Sequence, residues 1–158
     1  MPRRPPVVLA LLLATACSGA TPGPKALPRA TGPVIVPGAT GTTATGCGAL
    51  LAALPATLGG TSLGATSPDP VARRPVTAPG GAAWGDPPIT LRCGVPAGAV
   101  LDEPYVLDGV RWAVHDDGAV NRWTTLGRRT EVRVLIPDAY DAQGELLIAL
   151  SPALRRNP

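Results

Sequence analysis

The sequence predicts an α+β domain: a small antiparallel sheet of about four to five strands, two helices on one of its faces, and one disulfide. Three observations carry this. Ile89–Val95 alternates, with Ile89, Leu91, Cys93 and Val95 on one side and Thr90, Arg92 and Gly94 on the other, the period of a strand. Asp108-Gly109 joins two apolar runs, Tyr105-Val106-Leu107 and Val110–Val114, as a two-residue hairpin turn does. Cys47, Leu50, Leu51 and Leu54 recur at i, i+3, i+4 and i+7, one stripe of a helix. A sheet with one apolar face must bury it, and striped helices are the simplest cover.

Taken in order, residues 1–16 read as an export signal. Arg3 and Arg4 precede a ten-residue apolar run, Val7–Ala16, too short to cross a bilayer core of about 30 Å. It ends in Ala14-Thr15-Ala16-Cys17, which resembles a bacterial lipobox. That resemblance makes Cys17 the lipidated N-terminus, carrying a diacylglyceryl group and palmitate. An ordinary cleaved signal that leaves Cys17 free is the alternative. Residues 17–33, made largely of Pro, Gly, Ala, Thr and Ser, have little to bury and form a membrane tether. A single globular domain follows at 34–154, and 155–158 is a tail. Val34-Ile35-Val36 between prolines is either a short edge strand or more tether.

Export bears on charge and on cysteine. Without Arg3 and Arg4 the chain carries twelve basic and eleven acidic side chains, a net of +1. Thirteen Arg against one Lys, with 20 Pro and 19 Gly, points to a GC-rich genome. A duplex binder gathers its cations on one face to neutralise several phosphates. Here they are scattered along an exported chain, which excludes nucleic acid. With Cys17 acylated, Cys47 and Cys93 remain as one pair in an oxidising compartment. Closing that loop constrains the unfolded chain by about 4 kcal/mol. Two buried free thiols are the alternative.

Thr45 caps the first helix, Thr45–Leu54, and Pro55 ends it. Residues 59–81 read as a long loop in which Arg73-Arg74 either meets anionic lipid or cell-wall phosphate or is a solvated turn. After the Ile89–Val95 strand and the hairpin, with Tyr105 opposite Trp112, Asp117-Gly118 predicts a second turn that sets Trp112 opposite Trp123. Arg129–Ile136 is the last strand, with Val132, Val134 and Ile136 inward. A helix capped by Asp138 or Asp141 runs to about Leu150, before Pro152.

The stretch Ala82–Pro96, AAWGDPPITLRCGVP, is the most distinctive. Its Trp-Gly-Asp-Pro-Pro break, short strand and Arg-Cys-Gly resemble an uncharacterised actinobacterial lipoprotein family, domain-of-unknown-function family 3515. The resemblance covers roughly Val34 to Ala153 and departs where glycines flank Cys47. It implies an envelope location and a disulfide, and no activity.

No reaction is spelled out. His115-Asp116-Asp117 could hold a cation, but Asp-Gly has a backbone reason to stand at a turn, and no third ligand is suitably spaced. Ser18, Ser62, Ser67 and Ser151 lack the setting of a nucleophile. Asp102 and Glu103 are adjacent, unlike carboxylates facing across a cleft. No glycine-rich phosphate cradle follows a strand. What remains is a surface of Trp84, Asp86 and Arg92, suited to a sugar or peptide. The competing reading packs Trp84 under the sheet edge, with Asp86 at the turn pairing with Arg92. The sequence therefore predicts a lipid-anchored protein on the extracytoplasmic face of the cell membrane that binds or scaffolds, with no catalytic residue, metal or cofactor. Its partners are the membrane, through the anchor, and a cell-wall component or envelope protein; oligomeric state is not encoded legibly. An envelope hydrolase or a metal-binding lipoprotein is the alternative.

Overall fold

Ile89–Val95 lies at the centre of a sheet larger than the sequence suggested. In the computed structural model, which describes residues 32–38, 46–60, 69–97 and 103–157, eight strands form one antiparallel sheet. They are β1 (Thr57–Leu58), β2 (Val71–Arg74), β3 (Gly81–Trp84), β4 (Ile89–Val95), β5 (Tyr105–Leu107), β6 (Val110–Asp116), β7 (Val120–Thr125) and β8 (Glu131–Pro137), in the order β1-β2-β3-β4-β8-β7-β6-β5. The expected sheet of four to five strands is therefore wrong. Its five strands exist as β4–β8, and the chain adds β1–β3.

The missed strands had no alternation to show. All four residues of β3, Gly-Ala-Ala-Trp, are buried, so both of its faces are covered. On one side Trp84 enters the core. On the other the segment 32–38 crosses it, tied by a parallel bridge from Val34 to Val76 and by backbone bonds from Val34 N–H to Pro75 C=O (2.8 Å) and Thr77 N–H to Val34 C=O (3.1 Å). Val34 and Val36 are buried while Ile35 between them is 76 % exposed. A Cβ on Gly81 would lie 2.7 Å from Val36 Cγ1 and 2.8 Å from the Leu91 carbonyl, so only glycine permits this crossing.

The hairpin β5–β6 keeps the expected register, Leu107 opposite Val110 and Tyr105 opposite Trp112. Asp108 and Gly109 both take positive φ, as a type I′ turn requires. The next turn is displaced by one residue. Asp117 N–H bonds the Val120 carbonyl (3.1 Å), so Gly118-Ala119 forms the turn, and the Asp116 carboxylate accepts from Gly118 N–H (2.7 Å). Trp123 consequently stands opposite Val114, and Trp112 opposite Thr125, so the expected Trp–Trp pair is not formed. The displacement moves partners by two positions and leaves every side chain on its predicted face.

Three short helices lie on one face of the sheet: α1 (Cys47–Ala53), α2 (Gln143–Ile148) and α3 (Ser151–Arg156). Leu50, Leu54, Leu146, Leu147, Leu150 and Leu154 share one core with Trp84, Leu91, Trp112, Val132, Val134 and Ile136. Pro152 was expected to end the last helix; at the first turn, where its missing N–H costs nothing, it opens a new one instead. That helix takes in Arg155 and Arg156, which the sequence reading had assigned to a tail. No side chain caps α2, and Thr45, the expected cap of α1, lies outside the described residues. Among the described residues, no helix is long and apolar enough to cross a membrane.

Candidate functional site

Alternation along the central strands sends every second side chain away from the helices. On β4 these are Thr90 and Arg92; on β8, Arg133 and Leu135; on β7, Arg122 and Thr124; on β6, Arg111, Ala113 and His115. Register decides which of them meet. Arg92 stands directly opposite Arg133, Arg133 opposite Thr124, and Arg122 opposite both Leu135 and His115. Three arginines thus form a diagonal row across three neighbouring strands on the outer face.

Two of them are held in place. Arg133 Nε donates to Thr124 Oγ1 (3.4 Å), and Arg122 Nη2 to Asp117 Oδ1 (3.0 Å). Arg92 has neither an ion pair nor a hydrogen bond among the described residues, and its guanidinium lies against Gly38. Burial and the neighbouring Arg122 and Arg92 guanidiniums push Arg133 below the ordinary arginine range, while Asp117 acts the other way. Arg133 still remains cationic at neutral pH, because an arginine has far to fall before it loses its proton. The Asp117 carboxylate also sits 3.2 Å from His115 Nε2, so one carboxylate serves two neighbours.

Of the two readings of Trp84, Asp86 and Arg92, the packed one holds for Trp84, and the ligand surface does not come together. Trp84 is fully buried, beneath Arg73 at 5.7 Å from its ring centre, with its indole N–H donating to the Pro55 carbonyl (3.1 Å). It is a core anchor and cannot touch a ligand. Asp86 is exposed in the turn after β3, next to the cis Asp86–Pro87 bond, and pairs with Arg74 (3.8 Å), not with Arg92. Gly85 before it takes positive φ, and a Cβ there would strike the hydroxyl of Tyr140, which donates to the Pro87 carbonyl (2.7 Å). Of the proposed trio only Arg92 belongs to the outer face. Cys47 and Cys93 form a disulfide on the helix side, Cα atoms 5.8 Å apart. Cys17 lies outside the described residues.

The loop arginines are structural. Arg73 donates to the Leu51 and Leu54 carbonyls (3.3 and 3.4 Å), closing the C-terminus of α1, and Arg74 to Gly85 and Gly32 (3.1 and 2.9 Å). Neither is a solvated turn or free for a phosphate. Arg128, lowered in pKa by burial against the pull of Glu131, donates to the Leu154 and Asn157 carbonyls at the end of α3. Among the described residues, no three His, Cys, Asp or Glu side chains gather as a metal site.

Alternation placed Arg92 and Arg133 on outer faces, but Arg122 and the meeting of all three depend on pairing between strands some forty residues apart. The sequence reading missed that row. Neither a curated protein nor a solved structure matches this chain. A family model described as "Protein of unknown function (DUF3515)" matches residues 5–157, and the chain belongs to that family.

Proposed function

We propose that this is a lipid-anchored protein on the extracytoplasmic face of the cell membrane, and that it binds an anionic partner on the outer face of its sheet without catalysing a reaction. The opposed pair Arg92–Arg133, flanked by Arg122, carries the reading. Like charges directly opposite on a sheet cost stability, so their presence here favours a role in binding. The leader and Cys17 supply the location.

Intact mass of the chain from cells tests the anchor: residues 1–16 absent and acyl chains on Cys17 are expected, and an unmodified Cys17 refutes it. A photo-crosslinking residue at Arg111, on the outer face, tests the site against one at Arg156, on the helix side. Adducts in intact cells are expected at 111 and not at 156. Equal labelling at both, or none at 111, overturns the assignment of the face.

A further inference from the structure

We propose that the outer sheet face docks on the anionic phospholipid headgroups of the membrane that carries the anchor. This deepens the envelope reading and rests on it for the presence of a membrane. Three features of the same face point to that occupant.

The first is where the segment 32–38 lies. Val34 and Val36 pack onto the outer side of β3, Gly38 lies against Arg92, and Arg74 reaches the Gly32 carbonyl, so the described segment 32–38 lies on the outer side. With residues 17–33 as the tether of the anchor proposed above, the point of attachment is on this face and not among the helices.

The second is charge. Arg92, Arg133 and Arg122 share this face with Arg111 on β6, and among the described residues Asp117 is the carboxylate that pairs with Arg122 and acts on Arg133. The planar guanidinium fork matches phosphate oxygens two at a time. The row spans three strands, roughly 10 Å, about the spacing over which several headgroups can be met at once.

The third is apolar. Among the described residues the exposed large hydrophobics are Ile35 (76 %), Val106 (65 %) and Tyr105 (51 %). Ile35 points away from the sheet on the outer side, and Val106 stands opposite Arg111 on the outer face. Tyr105 instead packs edge-on against Trp123 of the helix side. A soluble polyanion would use the arginines but leaves Ile35 and Val106 without a purpose. A headgroup layer uses both, with cations at phosphate level and apolar side chains reaching the acyl boundary.

Every buried hydrophobic residue among those described lies between Val34 and Leu154, so a chain lacking residues 1–17 keeps the whole described core. That chain, which cannot be acylated, should co-sediment with vesicles of equal parts phosphatidylcholine and phosphatidylglycerol, and not with phosphatidylcholine alone. Arg92→Gln, Arg122→Gln and Arg133→Gln should each weaken binding roughly fivefold, the share of one basic residue near an anionic surface. Ile35→Ser should weaken it with no change of charge, and a polarity-sensitive dye at residue 35 should shift only with the anionic vesicles. Thermal melts of each variant verify folding; Ile35→Ser, altering an exposed side chain, keeps the test available if an arginine variant fails to fold. Absence of binding to anionic vesicles overturns the proposal. So does equal binding to soluble polyphosphate with Ile35→Ser silent, which would make the partner a free polyanion. Because Cys17 is missing from the chain used, neither outcome depends on whether the anchor exists.

Discussion

Replacing Trp84 by alanine tests the centre of this fold. The side chain is fully buried, and an aromatic of its size removes about 150–250 Å² from water, worth roughly 4–6 kcal/mol as an upper bound at 25 cal/mol per Å². Measured truncations of this kind cost about 3–5 kcal/mol, since neighbours relax only partly into the cavity. Two local losses add to it: the bond from the indole N–H to the Pro55 carbonyl and the Arg73 guanidinium over the ring, each about 1 kcal/mol or less. Trp84→Ala should therefore lose about 4–5 kcal/mol, a large fraction of a small domain's stability. Trp84→Phe retains most of the area and should lose about 1–2 kcal/mol. Urea unfolding followed by the fluorescence of Trp112 and Trp123 reads both. A loss below about 2 kcal/mol for the alanine variant would refute the core assignment, because an exposed tryptophan is the only one removed so cheaply.

Two further outcomes follow from the charges. Arg92→Gln should raise stability by about 0.5 kcal/mol at low salt by relieving Arg133, and the gain should fade near 1 M salt, where the Debye length is about 3 Å; a loss, or a salt-independent gain, contradicts the repulsion. Burial raises the Tyr140 pKa above its ordinary value near 10, against the pull of a backbone hydrogen bond with Asp86, so its contribution is whole below about pH 10 and is lost as pH climbs through the folded-state pKa. Tyr140→Phe should cost about 0.5–1.5 kcal/mol at neutral pH by removing the bond to Pro87, yet decline less steeply in alkali than the wild type; parallel alkaline slopes measured by denaturation would contradict it.

How much of this was written legibly in the chain depends on how local each cause is. Asp108-Gly109 and the alternation of β4 and β8 are local, and those elements stand as expected. The stripe from Cys47 to Leu54 correctly aimed Cys47 inward to Cys93. The strand β3 was not legible, because its Gly-Ala-Ala is shaped by a crossing from residues 34–36, far away in sequence. Arg73 was misread for a similar reason: its partners, the carbonyls of Leu51 and Leu54, exist only once α1 lies beside β2. The displaced turn after β6 had two glycine-compatible placements, and the Asp116 side chain, which selects one by binding Gly118 N–H, has no distinctive spacing. At the site, alternation gave sides without partners. The row of arginines is a property of the register between β4, β8 and β7.

The arginines themselves divide in a way that bears on function. Arg73, Arg74, Arg128 and Arg155 each reach backbone carbonyls: Arg73 and Arg128 at the ends of α1 and α3, Arg74 at Gly85 and Gly32, Arg155 at Asp108 in the hairpin turn. For those four the fold supplies a use. Arg92, Arg122 and Arg133 differ, because none of them bonds a backbone carbonyl among the described residues and Arg92 stands directly opposite Arg133. Thr90 and Thr124 on the same face are buried, and Arg133 bonds across Thr124, so arginine stems shield the sheet as apolar side chains would. Leucine or threonine would shield it equally without repulsion. Covering the sheet therefore explains the length of these side chains but not their charge. The segment 32–38 sharpens the point: it covers β3 with valines and reaches Arg92 at Gly38, so neutral cover stops where the cations begin. A fold that has a neutral means of closing this face, and leaves three guanidiniums on it instead, departs from what stability alone would select, and such departures are expected where a protein meets its ligand.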